Sequence, residues 1–473
     1  MFFSVTSVPS VPLWLPHHHP TGAMIDRSRL ASLNAAEQRR FEEGHPKSKA
    51  LFERAKAHLL EGVPMHWMAK WAGGFPVFVA EGEGAHFTDV DGHRYLDLCL
   101  GDTGAMTGHA PAVTVEAVRR QAAKGFTFML PSEDHLWVAE ELARRFGLPC
   151  WQFAMSATDA NRFAIRLARM LTGRPKILVH NWCYHGTVDE TFATLVDGQV
   201  VPRPGNIGPA VHPAETTRVV EFNDLAGLER ALAQGDVACV LAEPAMTNIG
   251  IILPDAGYHD GLRALTRKYG ALLIIDETHT ICAGPGGYTR AYALEPDVLT
   301  LGKPIGGGVP GAVYGFSAEV AARLAGKIAV ADCDTGGIGG TLAGNAFALA
   351  AMRATLEHVL TAAAYERTIP LAERWAAGVE AVVAEHSLPW IVKRLGCRAE
   401  YWFRPAPPRN GAEAAAAMDF ELDRFMHLFA LNRGILLTPF HNMALIAPAT
   451  TEADIDRHTA VFREAVRALL GRE

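Results

Sequence analysis

The stretch "VLTLGKPIGGGVPG", Val298 to Gly311, decides how the rest of the chain is read. Val298 to Leu301 is a short apolar run of the kind that forms a buried strand. Lys303 stands at its end, just before a cluster of glycines. Lysine is a poor strand residue and is rarely buried without a partner, so this position implies that something uses its amine. The amine can pair with a carboxylate and do nothing more. Alternatively it is a desolvated, covalent lysine: a Schiff base requires the neutral amine, which burial or a neighbouring cation favours. The glycines that follow let backbone pass close to a ligand.

Around this stretch, from about Pro111 to Ser317, helical patterns alternate with short apolar runs: "CWQFAM", "KILVHN", "VACVLAEP", "ALLIIDE", "DVLTLG" and "AVYGFS". Several are rich in Val, Ile and Leu, as strands buried on both faces should be. The pattern predicts an α/β fold with a mostly parallel central sheet flanked by helices. Before it, "FPVFVAEGEGAHFTDVDGHRYLDLCLG" alternates apolar and polar residues with Glu-Gly and Asp-Gly turn signals, and reads as a small antiparallel meander. After "GTLAGNAFALAAMRATLEHV" come a helix, short strands in "AEYWF", "GILLTPF" and "MALIAP", and a last helix from about Glu452, a smaller α+β unit. The expected division is a leader outside the fold over 1–25, a helical segment over 26–75 that joins the small domain, a large α/β domain over 76–345 carrying the meander, and the α+β domain over 346–473.

Composition narrows the class. Of the 473 residues, 20% are charged and 49% apolar, which excludes disorder over most of the chain. A net charge of −7 and the lack of a basic block give no footprint for nucleic acid or an anionic membrane. Seven scattered cysteines, Cys99, Cys150, Cys183, Cys239, Cys282, Cys333 and Cys397, include no CxxC pair. They fit a reducing, cytoplasmic setting with buried thiols better than a disulfide framework. No apolar run is long enough for a membrane span. The opening "MFFSVTSVPSVPLWLPHHHPTGAM" lacks the basic start and continuous apolar middle of a secretory signal and reads as a disordered leader, or as an over-early start with Met24 the true one. Its three histidines are given no catalytic or metal role.

In an open parallel sheet, ligands gather beyond the carboxyl ends of the strands. "ALLIIDETH" delivers Asp276 and Glu277 there, where a carboxylate either caps a turn or lines a binding crevice. "MSATDANRFAIRLARMLTG" opens a helix with Ser156 and Asp159 at capping-box spacing. Its small residues leave N–H groups free for a phosphate, or it is simply a capped helix. "NWCYHG" offers Tyr184 and His185; an aromatic ring at a strand end can stack on a flat ligand. "AEPAMTNIG" supplies Glu243 and Asn248, and "GGIGGTLAGN" a glycine-rich loop with Thr341 before a helix. Two motifs mislead. "GGGVPG" matches G-x-G-x-x-G with Asp332 at the expected distance, but it lies late in the α/β region, contains Pro310, and leaves Lys303 unexplained. "GKP" lacks the Ser/Thr and the earlier glycine of a P-loop.

Together, the strand-end Asp276, the "LTLGKPIGGG" block with Lys303, the small-residue turn "SATDA", "WCYHG" and "GGTLAGN" resemble the class III, pyridoxal-phosphate-dependent aminotransferases of the aspartate-aminotransferase fold (fold type I). The similarity runs from about Phe75 to the last helix and is nearest to the glutamate-1-semialdehyde aminomutase and β-amino-acid aminotransferase branch. The resemblance implies a seven-stranded-type central sheet and pyridoxal 5'-phosphate (PLP) as cofactor. It implies Lys303 as the Schiff-base lysine and proton shuttle, and Asp276 as the carboxylate at the pyridine nitrogen. Ser156, Ala157 and Thr158 fall at the phosphate, Tyr184 with His185 at the ring, and Glu243 and Asn248 near the ring hydroxyl. Thr341 matches the threonine that reaches the phosphate from a neighbouring subunit, which implies a homodimer.

Three departures bear on the chemistry. "SATDA" replaces "SGTEA". Thr278 brings a hydroxyl to the ring face where the family places a methyl, and His279 follows it, either packed or functional. Where carboxylate-binding relatives carry arginine, this chain has "GVPMHWMAKWAGG", with Trp67 and Trp71, and "TPFHNM", with Phe440 and His441. Bidentate carboxylate capture wants arginine. The expected donor therefore has an apolar body or a carboxylate far from its amine, with Arg398 or Arg404 as remaining anion sites. The leading expectation is an aminotransferase passing an amino group from a primary amine, ω-amino or β-amino acid to a 2-oxo acid such as pyruvate. The alternative is a glutamate-1-semialdehyde 2,1-aminomutase-type isomerase. A nicotinamide dehydrogenase and a non-catalytic binding relative fit Lys303 and Asp276 less well.

Overall fold

The computed structural model describes residues 25–327, 336–439 and 441–472. The leader as far as Met24, Asp332, Cys333 and Phe440 lie outside the described residues.

The meander forms as expected from β1 (Val79–Glu83), β2 (His86–Asp89) and β3 (Arg94–Asp97), paired antiparallel. The apolar runs then give β4 (Cys150–Ala154) and β5 (Lys176–His180), followed by a separate hairpin, β6 (Ala193–Val196) and β7 (Gln199–Pro202). Next come β8 (Thr217–Val220), β9 (Val237–Ala242), β10 (Leu272–Asp276), β11 (Val298–Leu301) and β12 (Ala312–Phe316). The seven-stranded central sheet has the order β4-β12-β11-β10-β9-β5-β8. Pairing is parallel from β11 through β8, and β12 alone runs against its neighbours. β8 was not foreseen: it is a short edge strand, and "TRVV" carries little periodic signal beside the polar residues around it.

The central strands read as continuous apolar runs because both of their faces are covered. Leu273, Ile274, Ile275, Val298, Leu299 and Leu301 are all buried. Each such side chain contributes on the order of 1.5–3 kcal/mol by leaving water. The helix Ala157–Thr172 lies on this sheet through Ala160, Phe163, Ala164, Leu167 and Ala168. Five of the six described cysteines are buried, and all six are free.

In the C-terminal part, β13 (Ile391–Leu395), β14 (Arg398–Trp402) and β16 (Met443–Leu445) form a three-stranded antiparallel sheet. The strand expected in "GILLTPF" forms as β15 (Ile435–Leu436), but it leaves this sheet and pairs in parallel with β3. The Leu98 N–H donates to Leu436 O and the Leu445 N–H to Leu98 O, so the chain after β3 is held by both sheets. The helix Arg27–Gly44 also packs C-terminally, beside the helix Phe420–Leu431. Arg27 Nη1 donates to Asp419 Oδ1 at 3.0 Å, and Asn432 Nδ2 to Glu37 Oε2 at 2.7 Å. Among the described residues, no helix is long and apolar enough to cross a membrane.

Candidate active site

Register places the chemistry. β9, β10 and β11 are parallel neighbours, with Ile275 opposite Ala242 and Asp276 opposite Thr300. Glu243, Asp276 and Lys303 therefore leave one carboxyl edge of the sheet side by side.

Asp276 is buried and accepts three hydrogen bonds. Its Oδ2 accepts from Asn161 Nδ2 and His185 Nδ1, both at 2.9 Å, and its Oδ1 accepts the Thr278 N–H at 3.0 Å. Asn161 is itself held by Thr300 Oγ1, which donates to its Oδ1 at 2.6 Å. Burial works against the Asp276 charge, but His185, Thr278 and Asn161 outweigh it and hold the carboxyl down at about 2. His185 is buried too; Cys183 and Asp276 outweigh that burial and raise its pKa to about 10. The adjacent Glu277 turns the other way. Its carboxylate accepts from Thr280 Oγ1, the Tyr288 N–H and the Thr289 N–H. The acidic pair thus splits, with one member facing the crevice and the other tying a loop.

Lys303 has φ +51°, a left-handed conformation that costs free energy for a non-glycine residue. Its Nζ donates to the backbone O of Asp102 at 2.8 Å and lies 3.0 Å from Asp102 Oδ2 and 2.9 Å from His279 Nε2. Asp102 comes from the turn after β3, where Leu100, Asp102 and Thr103 also have positive φ. Burial opposes its charge, but the neighbouring Lys303 and Arg398 hold its pKa well below the usual carboxylate range. Arg398 on β14 is 1% exposed; its Nη2 donates to Thr103 Oγ1 at 2.5 Å and lies 3.9 Å from Asp102 Oδ1. Arg404, by contrast, donates to the Glu413 carbonyl.

The helix N-terminus is capped by Ser156, whose Oγ accepts the Asp159 N–H at 3.3 Å. Two glycines press close to it. A Cβ on Gly302 would stand 3.1 Å from the Ala157 N, and one on Gly186 would clash with Thr158 Oγ1. Thr158 Oγ1 accepts the Thr187 N–H at 3.0 Å. Tyr184 meets Trp67 with ring centroids 5.4 Å apart. Asn248 donates to the Trp182 carbonyl at 3.0 Å. Glu243 accepts from Thr247 Oγ1, and burial raises its carboxyl to about 7. Thr341 is exposed in the single chain. Of the expected pocket residues, Trp71 packs instead on the Phe41, Phe52 and Phe75 cluster. His441 Nδ1 lies 3.5 Å from Glu400 Oε1. Asp102, Asn161 and Thr103 were not anticipated. The run of left-handed residues around Asp102 is written in no motif except the glycines of "LGDTG".

The residues present fit a flat, phosphorylated, electron-accepting group. Thr278 Oγ1, Glu243 Oε1 and His185 Nε2 are buried without hydrogen-bond partners around Asp276, as polar atoms that serve a further group would be. The glycine approaches leave backbone, rather than side chain, beside the helix N-terminus where an anion is favoured.

Comparison with known proteins agrees. The sequence model described as aminotransferase class-III matches residues 67–466, and the chain belongs to this family of PLP-dependent enzymes. It is 35% identical over 433 residues to a glutamate-1-semialdehyde 2,1-aminomutase of Anaeromyxobacter sp. (strain Fw109-5), spanning 89% of this chain and 99% of that one. Among solved structures, a glutamate-1-semialdehyde aminomutase from Pseudomonas aeruginosa PAO1 superposes with TM-score 0.92 at 51% identity, over 94% of this chain and 99% of the other. An omega-transaminase from Sphaerobacter thermophilus gives TM-score 0.82 at 29% identity, over 89% and 98%.

Proposed function

We propose that this enzyme is a glutamate-1-semialdehyde 2,1-aminomutase-type isomerase, which moves an amino group between neighbouring carbons of one substrate. The observation that carries this choice over the amine-to-2-oxo-acid aminotransferase expected from the sequence is the 51% identity to the Pseudomonas aeruginosa aminomutase across 94% of the chain. The site supports it. A 2-oxo acid and an α-amino acid carry a carboxylate beside the reacting carbon, and its capture wants an open guanidinium. Arg398, the arginine nearest Lys303 by its contacts, is buried and engaged by Thr103 and His279. Glutamate-1-semialdehyde has an aldehyde at C1 and its only carboxylate three carbons from the amine, matching the expectation of a distant carboxylate.

Bound PLP supplies a carbonyl that takes up amino groups and a protonated ring that accepts electrons. In this reading Lys303 holds the carbonyl end through its amine. Asp276 faces the ring nitrogen and keeps it protonated, while His185 and Asn161 fix the carboxylate. Ser156, Ala157 and Thr158 hold the phosphate at the helix N-terminus. Tyr184 and Thr278 would contact the ring, and Glu243 and Asn248 would serve its hydroxyl. As a free amine, Lys303 would take the carbon-bound proton of the substrate and return it at the neighbouring position, a general-base role. The large domain over 76–345 carries these groups, and the segments 26–75 and 346–473 close over its edge as a small domain.

The working unit in this reading is a homodimer. Thr341 is exposed, and so are Phe126, Phe128, Met129 and Leu130, which flank the helix that follows Thr341 through the ring contact Phe126–Phe347. A partner covering this patch would bring its Thr341 toward the phosphate. A monomer in sedimentation analysis would remove that role.

The catalytic test is direct. Holoenzyme given glutamate-1-semialdehyde alone should yield 5-amino-4-oxopentanoate with no added 2-oxo acid. Absence of that product, with alanine formed from pyruvate and an ω- or β-amino donor, would instead establish the aminotransferase reading, which the Trp67–Tyr184 contact favours.

A further inference from the structure

His279 stands between Lys303 and Arg398, and the roles assigned above do not use it. Its Nε2 lies 2.9 Å from Lys303 Nζ. Its Nδ1 lies 3.0 Å from Arg398 Nη2 and 3.0 Å from Thr103 Oγ1. A guanidinium can only donate hydrogen bonds. Nδ1 is therefore the acceptor, and the one proton of a neutral imidazole sits on Nε2, facing the lysine. The ring is neutral because burial, with the Arg398 guanidinium beside it, holds its pKa well below the ordinary histidine value. A nitrogen that accepts from Nε2–H must offer a lone pair, which an ammonium lacks. The two remaining protons of Nζ also have acceptors, Asp102 O at 2.8 Å and Asp102 Oδ2 at 3.0 Å. One bond accepted and two donated is the full capacity of a neutral amine.

We propose that Arg398 locks His279 in its Nε2–H tautomer, and that His279 donates to Lys303 Nζ and so favours the neutral amine that attacks a carbonyl. Asp102 pulls in the opposite direction, since a carboxylate favours the ammonium. One lysine nitrogen is thereby held between a proton donor and a proton acceptor, as an amine that must both attack and shuttle protons requires. His279 touches the reacting nitrogen; Arg398 and Thr103 act through it and are positioning residues. The remaining titratable groups facing the cluster are Asp276 toward His279, then His441, Tyr184 and Cys99 toward Asp102, and Glu243, Cys282 and Cys397 toward Arg398. The inference rests on Lys303 being the Schiff-base lysine.

Turnover is not needed to test it. In the full-length protein freed of cofactor, short acetic anhydride pulses at a series of pH values, read by peptide mass spectrometry, give the pH midpoint for labelling of Lys303. His279→Phe should raise that midpoint by about one pH unit, so labelling below it falls about tenfold. Arg398→Met should shift it in the same direction, His279→Gln should restore it by keeping a side-chain N–H, and Asp102→Asn should lower it. A role in packing alone would change the extent of labelling without moving the midpoint. An unchanged or lowered midpoint in His279→Phe overturns the proposal. Should a variant not fold, the wild-type protein decides: ¹⁵N-histidine NMR should show His279 protonated at Nε2, and protonation at Nδ1 overturns the tautomer. Absence of a borohydride-sensitive visible band in wild-type holoenzyme would instead sink the lysine's assignment, whatever the midpoint shows.

Discussion

Asp276 and Asp102 both border the crevice, and their surroundings are built differently. At the Asp276 side every donor comes from a buried scaffold element: Asn161 from a helix lying on the sheet, His185 from the end of β5, and the Thr278 N–H from the same loop. At the Asp102 side a strained turn offers a carboxylate with 35% of its side chain exposed to Lys303, the lysine proposed above to form the Schiff base. Buried, saturated carboxylates hold a charge in place. A half-buried carboxylate beside an amine lets the charge move. A fixed charge suits the role proposed for Asp276 at a ring nitrogen, and a movable one suits the proton transfers proposed for Lys303.

The largest effect that tests this contrast is Lys303→Ala. It should lower turnover by at least about 10³-fold and remove the borohydride-sensitive band, while the circular dichroism spectrum stays unchanged. Asp276→Asn should follow, with a loss of roughly 10²-fold or more. It should also bring the His185 titration, read by NMR, down from about 10 toward the ordinary value, because the Asp276 hydrogen bond and charge are among the groups that raise it. An unchanged His185 would break the claim that this side is one coupled unit.

Stability should separate the two sides as well. Glu277→Ala strands buried donors of Thr280, Tyr288 and Thr289, at about 1–3 kcal/mol for each donor left unsatisfied, and should lower Tm clearly. Asp102→Asn should lower Tm less, since asparagine still fills the place of this half-buried carboxylate. Equal losses in the two variants would erase the distinction.

The smallest and broadest effect is on pH. His180, His458 and His427 are buried, and burial lowers their pKa values to about 3, 3 and 4. Their unfolded forms take up protons first, so stability is fully present above about pH 6.5 and falls as pH drops toward 3 to 4. Asp276 adds a loss as pH falls from its unfolded 3.8 through about 2. His185 acts with the opposite sign: its contribution is complete below its unfolded 6.5 and is lost as pH rises through about 10. Chemical denaturation across this range should show a maximum between these limits. A curve rising steadily toward acid would contradict the buried neutral histidines.

Local patterns made the scaffold half of the site readable. A five-residue apolar run ending in an acid, or one ending in lysine and glycines, places its last side chain at a sheet edge because strand direction and length are local properties. Asn161 was less legible, although it lies in the helix already picked out at the phosphate, because nothing in its own sequence says that it faces a strand end. β15 shows the same limit. Its apolar character was plain, but its pairing with β3 is a choice of partner over the whole chain.

By itself the sequence determined the mostly parallel sheet, the family, and the strand-end positions of Asp276 and Lys303. Periodicity, strand length and strand-end composition act over a few residues and survive any arrangement of the remainder. Only the tertiary structure decided what meets the lysine amine. Asp102 lies 201 residues away in sequence and Arg398 lies 119 from the histidine it orients. Such contacts follow from which strands pair and in what register, and those are settled by packing across the whole core.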